Sequence, residues 1–106
     1  MINKRCFIVG IKGIKLNKKE IFFLKKYKPW GIILFTRNIK NINQTQKLTS
    51  SIRKIFSDKK YPILIDQEGG RVNRLKNIIS FDNLTSEFFG NKYITNYKEF
   101  KFFYKL

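Results

Sequence analysis

Asp66 and Glu68 stand two residues apart around Gln67, a Gly69-Gly70 pair follows, and Arg71 and Arg74 come just beyond. Paired carboxylates about 5–5.5 Å apart can cleave a glycoside with retention, one as acid and one as nucleophile. Asp66 and Glu68 fit that role badly. Acid and nucleophile approach the glycosidic bond from different sides, and two residues on one tight segment cannot easily do so. What precedes the cluster says more about its place in the fold. Ile63, Leu64 and Ile65 form a short apolar run behind Pro62, the pattern of a strand buried on both faces. A buried strand that turns abruptly into carboxylates, glycines and arginines reads as the carboxyl end of a strand in an α/β protein, where ligands bind. The paired glycines open backbone angles closed to other residues, so the loop can turn sharply over the strand end.

The decamer Asp66 to Leu75 (DQEGGRVNRL), with the upstream block Trp30 to Asn38 (WGIILFTRN), resembles the N-terminal part of the glycoside hydrolase family three β-N-acetylhexosaminidases. The resemblance runs from about Phe7 to about Gly90 and weakens after Leu75. It implies hydrolysis of terminal N-acetylglucosamine from sugar chains, in bacteria chiefly from muropeptide fragments during peptidoglycan recycling. It also implies that Asp66 accepts hydrogen bonds from hydroxyls of the terminal sugar and that Arg74, the last arginine of the motif, donates to them. An ionised carboxylate makes charge-assisted bonds stronger than neutral ones, and a guanidinium fork adds direction. An Asp–Arg pair that only holds the loop is the alternative for both residues. Glu68 and Arg71 are read as scaffold. In the family the nucleophile is an aspartate and the acid/base a histidine on a mobile loop, both downstream of the matched region. This sequence has no histidine. No catalytic residue is assigned within it, and the chain alone is expected not to turn over. The resemblance implies no metal and no organic cofactor. Its partners would be a saccharide containing N-acetylglucosamine and the rest of the barrel, required for activity.

The elements that must position these residues follow from periodicity. Phe7, Ile8 and Val9 read as a first strand ending at Gly10, with Gly10 to Gly13 as a loop. Asn17 with Glu20 three residues on fits a capping box for a helix from about Lys18 to Lys26, stopped by Pro29. Trp30 to Phe35 gives a second strand, and Thr36, Arg37 and Asn38 follow at its carboxyl end. Arg37 and Asn38 either shape the wall of a sugar site or satisfy loop backbone and pair with a motif carboxylate. Asn43 with Gln46 signals a second helix over about Gln44 to Ser57, where Leu48, Ile52, Ile55 and Phe56 share one face. Strand, helix, strand, helix, strand points to βαβ units and a parallel sheet. Beyond the motif, Lys76 to Asn83 reads as a loop, Ser86 to Gly90 as one helical turn capped by Thr85, and Tyr97 to Leu106 as the start of another helix. The aromatics Phe100, Phe102, Phe103 and Tyr104 would need a partner surface there.

The expected fold is therefore α/β, about the first three βα units of a (β/α)8 TIM-type barrel that is incomplete in this chain. A complete barrel takes roughly 250 residues, against 106 here. Residues 1–106 are read as the N-terminal part of a catalytic barrel, a fragment with no internal boundary. Three strands cannot close a barrel, so the inner face would leave Ile8, Ile33 and Ile65 or their neighbours to be covered by other strands. A small domain that borrowed the motif, or a non-catalytic remnant, is the other account of the length.

The formal net charge of +16 raises a second class of function, a small basic nucleic-acid-binding protein. Composition argues against it. Lys, Ile, Asn, Phe and Tyr, all favoured by A/T-rich codons, make up 60 of the 106 residues. Arginine, the better reader of phosphates and bases, occurs five times, and the lysines are spread rather than gathered. Cys6 is the single cysteine, which excludes an intrachain disulfide and reads as a small buried residue. The apolar run from Cys6 to Ile11 is too short for a signal-peptide core or a membrane span. A cytoplasmic location is expected.

Overall fold

The apolar runs and cap signals become a three-stranded parallel sheet with helices between its strands. The structure, a computed structural model, describes residues 5–80 and 83–104. In chain order these form β1 (Arg5–Gly10), α1 (Lys18–Tyr27), β2 (Pro29–Leu34), a 3-10 turn (Thr36–Asn38), α2 (Ile42–Phe56), β3 (Ile63–Ile65), α3 (Ser86–Thr95) and α4 (Tyr97–Tyr104). The sheet order is β1-β2-β3, with both pairings parallel. The chain divides after Asp66 into two compact units.

In the first unit, register decides which residues form the core. Val9 pairs with Ile32 and Ile32 with Ile63, while Leu34 pairs with Ile65. This row faces the helices. Ile32 and Leu34 are buried with Leu24 of α1 and Leu48, Ile52 and Phe56 of α2, and Val9 and Ile63 pack against them. The alternate row, Gly10–Ile33–Leu64, lies on the opposite face with Ile8 and Gly31. Ile8 remains 47% exposed there and Leu64 36%. The open face is thus marked by Ile8, Ile33 and Leu64 rather than Ile65, because side chains alternate strictly along a strand. Strand β3 is also less enclosed than its apolar composition predicts, since β2 is its sheet neighbour on one edge only.

Local signals account for the helix ends. Asn17 Oδ1 accepts from the Glu20 N–H at 2.9 Å and Glu20 Oε2 from the Asn17 N–H at 2.9 Å, the expected reciprocal box at the start of α1. Such caps are worth about 1 kcal/mol. Lys28 ends α1 in the left-handed region (φ 47°), and Pro29 opens β2 directly after it. Helix α2 begins two residues earlier than its sequence signal. Asn41, not Asn43, is the cap, accepting from the Gln44 N–H at 2.9 Å. Its predicted apolar stripe holds: Leu48, Ile52 and Phe56 are buried and Ile55 packs alongside. Tyr61 closes the unit, stacked on Phe56 with centroids 3.9 Å apart and donating its hydroxyl to the Pro29 carbonyl at 2.8 Å. Burial, with Asp58 nearby, pushes the Tyr61 hydroxyl up to about 12. Cys6 differs from its sequence reading. It is exposed, because β1 carries β2 on only one side and its outer positions face solvent.

The second unit is built from a turn-rich loop and two short helices. Helix α3 is twice the length of the turn expected at 86–90, capped as expected by Thr85, whose Oγ1 accepts from the Phe88 N–H at 3.0 Å. Helices α3 and α4 are joined by aromatic edges, Phe88 to Phe103 at 5.5 Å and Tyr93 to Phe100 at 5.3 Å, and by a Lys92–Glu99 ion pair at 2.7 Å. No described residue of α3 is fully buried, and Phe102 is 63% exposed. Among the described residues, no helix is long and apolar enough to cross a membrane.

Candidate functional site

Parallel pairing brings the carboxyl ends of the three strands to one edge of the sheet. Gly10 is level with Ile33, and Leu34 with Ile65. The segments that follow, Ile11–Gly13, Phe35–Asn38 and Asp66, all leave from that edge. Asp66 is the residue directly after β3 and is exposed. The carboxyl edge is where binding groups are expected in parallel sheets.

Asn38 organises the loops around that edge. It is completely buried. Its Nδ2 donates to the carbonyls of Ile11 (3.1 Å) and Gly13 (2.9 Å), and its Oδ1 accepts from the Phe35 N–H (2.9 Å). Arg37 Nε donates to the same Ile11 carbonyl at 3.2 Å, and its guanidinium lies 4.6 Å over the Phe35 ring. Gln44, at the start of α2, donates to the carbonyls of Ile14 (2.6 Å) and Asn38 (3.0 Å) and accepts from the Lys40 N–H (2.8 Å). Of the roles the sequence left open for Arg37 and Asn38, these bonds show one part, the satisfying of loop backbone. Both hold the first loop to the second. Gly10 packs closely beside them: a Cβ there would lie 3.2 Å from Phe35 Cε2 and 3.3 Å from Arg37 Nη2, so both side chains would have to shift by a few tenths of an ångström.

The motif loop belongs to the second unit and has its own internal frame. Gly69 and Gly70 both take positive φ, 79° and 54°. The Val72 N–H donates to the Gly69 carbonyl at 3.2 Å and the Glu68 N–H to the Val72 carbonyl at 3.3 Å, closing a tight turn. A non-glycine residue at either position would be strained. Arg71 at the tip is exposed, and Glu68 is exposed as well. Below the tip, Gln67 Oε1 accepts from the Arg74 N–H at 2.8 Å, and Gln67 Nε2 donates to Asn73 Oδ1 at 3.2 Å. Asn73 is buried and its Oδ1 also accepts from the Leu75 N–H at 3.1 Å. Arg74 is half-buried. Sequence reasoning singled out the charged residues here and passed over Gln67 and Asn73. The signal was present: two side-chain amides flanking a Gly-Gly turn can close it, each with a donor and an acceptor to offer. Among the described residues, no group of three His, Cys, Asp or Glu is placed to hold a metal ion.

A parallel sheet with helices between its strands defines an α/β protein. Its relatives are more particular. No family model matches the chain. The β-hexosaminidase of Haemophilus influenzae is 42% identical over 71 residues, covering 65% of this chain and 19% of that protein. The β-hexosaminidase of Psychromonas ingrahamii is 38% identical over 72 residues, covering 68% and 21%. Among solved structures, NagZ from Neisseria gonorrhoeae in complex with N-trifluoroacetyl-D-glucosamine superposes with a TM-score of 0.61 at 34% identity, covering 72% of this chain and 22% of that one. A glycoside hydrolase family 3 β-N-acetylglucosaminidase from Paenibacillus sp. str. FPU-7 gives 0.64 at 29% identity, covering 71% and 15%. In sequence and in backbone, this chain resembles the β-N-acetylhexosaminidases of glycoside hydrolase family three. It spans about a fifth of the length of the curated relatives it matches.

Proposed function

We propose that this chain is the N-terminal portion of a glycoside hydrolase family three β-N-acetylhexosaminidase and carries part of its sugar pocket. Its strands open a (β/α)8 barrel that further strands complete, covering the face marked by Ile8, Ile33 and Leu64. Asp66 accepts from hydroxyls of a terminal N-acetylglucosamine, and Arg74 donates to them. The substrate is a saccharide bearing that sugar, of the kind released when peptidoglycan is recycled in the cytoplasm. The observation that carries this reading is the likeness in both sequence and backbone to an enzyme solved with an N-acetylglucosamine analogue. The place of Asp66 directly after β3 supports it further. The nucleophile and the acid/base come from elsewhere in the enzyme, and a sequence without histidine supplies no counterpart of the acid/base.

In the longer enzyme chain this reading implies, Asp66→Asn and Arg74→Ala each lower kcat/KM for N-acetylglucosaminides. Loss of a charge-assisted sugar contact costs about 1.5–3 kcal/mol, roughly ten- to a hundredfold. A folded Asp66→Asn enzyme with full activity removes the binding role. The 106-residue chain by itself should leave a chromogenic N-acetylglucosaminide intact, and turnover by a contaminant-free sample would overturn the assignment of the chemistry to other residues.

A further inference from the structure

The motif loop carries two amides that face its own backbone rather than solvent, and together they fix the segment from which Arg74 projects. Gln67 precedes the Gly-Gly turn and Asn73 follows it. Gln67 spends its acceptor on the Arg74 N–H (2.8 Å) and a donor on Asn73 Oδ1 (3.2 Å). Asn73, only 7% exposed, accepts from the Leu75 N–H (3.1 Å) as well as from Gln67, and its Nδ2 reaches the Ile79 carbonyl at 3.4 Å. Main-chain donors on both sides of the Arg74 carbonyl, those of Arg74 and Leu75, are therefore held by one pair of side chains. A carboxylate in place of Gln67 could accept from Arg74 but could not donate to Asn73. A shorter side chain could do neither. The turn above, with Gly69 and Gly70 at positive φ, sets the loop's direction. The amides add side-chain bonds to the backbone on either side of Arg74, beside the bonds that the Ile78 and Ile79 N–H groups make to the Leu75 carbonyl.

We propose that Gln67 and Asn73 form a clamp that positions Arg74 for the sugar, making them positioning residues of the pocket rather than sugar contacts. This rests on the sugar-binding role of Arg74 given above. A reacting or binding group displaced by about 1 Å can lose up to roughly a hundredfold in rate, so a clamp that fixes an arginine's backbone matters to the chemistry.

The test is a double-mutant cycle in the longer enzyme chain, with kcat and KM measured separately on a chromogenic N-acetyl-β-glucosaminide for Gln67→Ala, Arg74→Ala and the double variant. Gln67→Ala should lower kcat/KM about tenfold, the size of one to two hydrogen bonds. In the Arg74→Ala background the same change should cost less than about twofold, because residues that act through one another are not additive. Gln67→Glu, which keeps the acceptor for the Arg74 N–H, should recover most of the loss. Amide exchange at Arg74 should quicken in Gln67→Ala and stay slow in Gln67→Glu. A thermal scan shows whether each variant is folded. If Gln67→Ala unfolds the protein, Gln67→Met, which keeps the length of the side chain but neither of its hydrogen bonds, carries the cycle in its place. An equal penalty in both backgrounds, or unchanged activity in Gln67→Ala with fast exchange at Arg74, overturns the clamp while leaving the sugar-binding reading intact. Full activity in Arg74→Ala overturns both.

Discussion

The two units of this molecule are held by different means. All the buried apolar side chains among the described residues, from Ile11 to Tyr61, lie in the first unit. There two amphipathic helices cover one face of a parallel sheet, and the core residues of the strands and helices sit at the spacing that their elements impose, with Ile11, Ile39 and Tyr61 joining them from the connections. The second unit has a buried amide, Asn73, but no described apolar residue as deeply buried. Its helices touch through edge-on aromatic rings, while Tyr93, Ile94, Tyr97 and Phe102 remain more than half exposed. Aromatic content alone does not make a core. Phenylalanines at 88, 89, 100, 102 and 103 fall on several faces of short helices, whereas Leu48, Ile52 and Phe56 fall on one face of a long one.

That contrast can be broken most directly by trimming one isoleucine in each unit. Ile52→Ala opens a cavity in a fully buried site and should cost about 2–5 kcal/mol. Ile94→Ala, at 82% exposure, should stay within about 0.5 kcal/mol. Denaturant midpoints with amide exchange across α1, β2 and α2 read the difference, and similar losses would mean that the second unit has a core of its own.

The buried amides sharpen the comparison. Asn38→Ala removes the bonds to the Gly13 carbonyl and the Phe35 N–H and leaves the Ile11 carbonyl with the Arg37 bond, and about 2–3 kcal/mol should be lost, because buried polar groups without partners are costly. Asn73→Ala, in the less enclosed loop, should cost about 1 kcal/mol, since water can replace part of what is lost. A larger loss at Asn73 would reverse the ranking of the two units.

Tyr61 tests the first unit through pH. Its hydroxyl titrates near 12 when folded against 10 ordinarily, so the neutral form is favoured in the native state. The resulting stability is complete below pH 10 and is lost as pH rises towards 12, by about 3 kcal/mol in all. Tyr61→Phe should cost about 1 kcal/mol at neutral pH for the bond to Pro29, and should lack that alkaline decline. A parallel decline in wild type and Tyr61→Phe would assign it to other groups.

The smallest effect concerns partners. If the positive charge is a solvated surface shared by both units, binding to duplex DNA or RNA should be weak and blind to sequence, and should fall steeply with salt. Sequence-selective binding that survives physiological salt would point instead to a nucleic-acid surface.

How much of this was legible beforehand follows the same division. The capping box at Asn17 and Glu20, the stripe of α2 and the three strands could be read because each rests on spacing within one element. Asn41 was missed as the α2 cap because Asn41 and Asn43 offer the same side chain, and only the path of the backbone chooses between them. The roles of Arg37 and Asn38 were not legible, because their partners at Ile11 and Gly13 lie 25 or more positions away. Of the candidate pocket, charge drew the eye to Asp66, Glu68, Arg71 and Arg74 alike, and the resemblance of the motif singled out Asp66 and Arg74. Gln67 and Asn73 stayed hidden because a neutral amide bonded to its own loop resembles any polar surface residue until the loop is folded.

The Asn38 knot also has a consequence for the order of events as the chain is made. The loop after β1 draws its hydrogen bonds from Arg37, Asn38 and Gln44, across separations of 25 to 30 residues. A growing polypeptide folds from its amino end. The Lys12 N–H bond to Glu20 Oε1 at 2.7 Å can form early, but the bonds from Arg37, Asn38 and Gln44 must wait until those residues have been synthesised. Strand β1 and helix α1 therefore emerge with a junction that is only partly tied. The first corner of the ligand edge is completed retroactively, when the second βα unit arrives and ties it down.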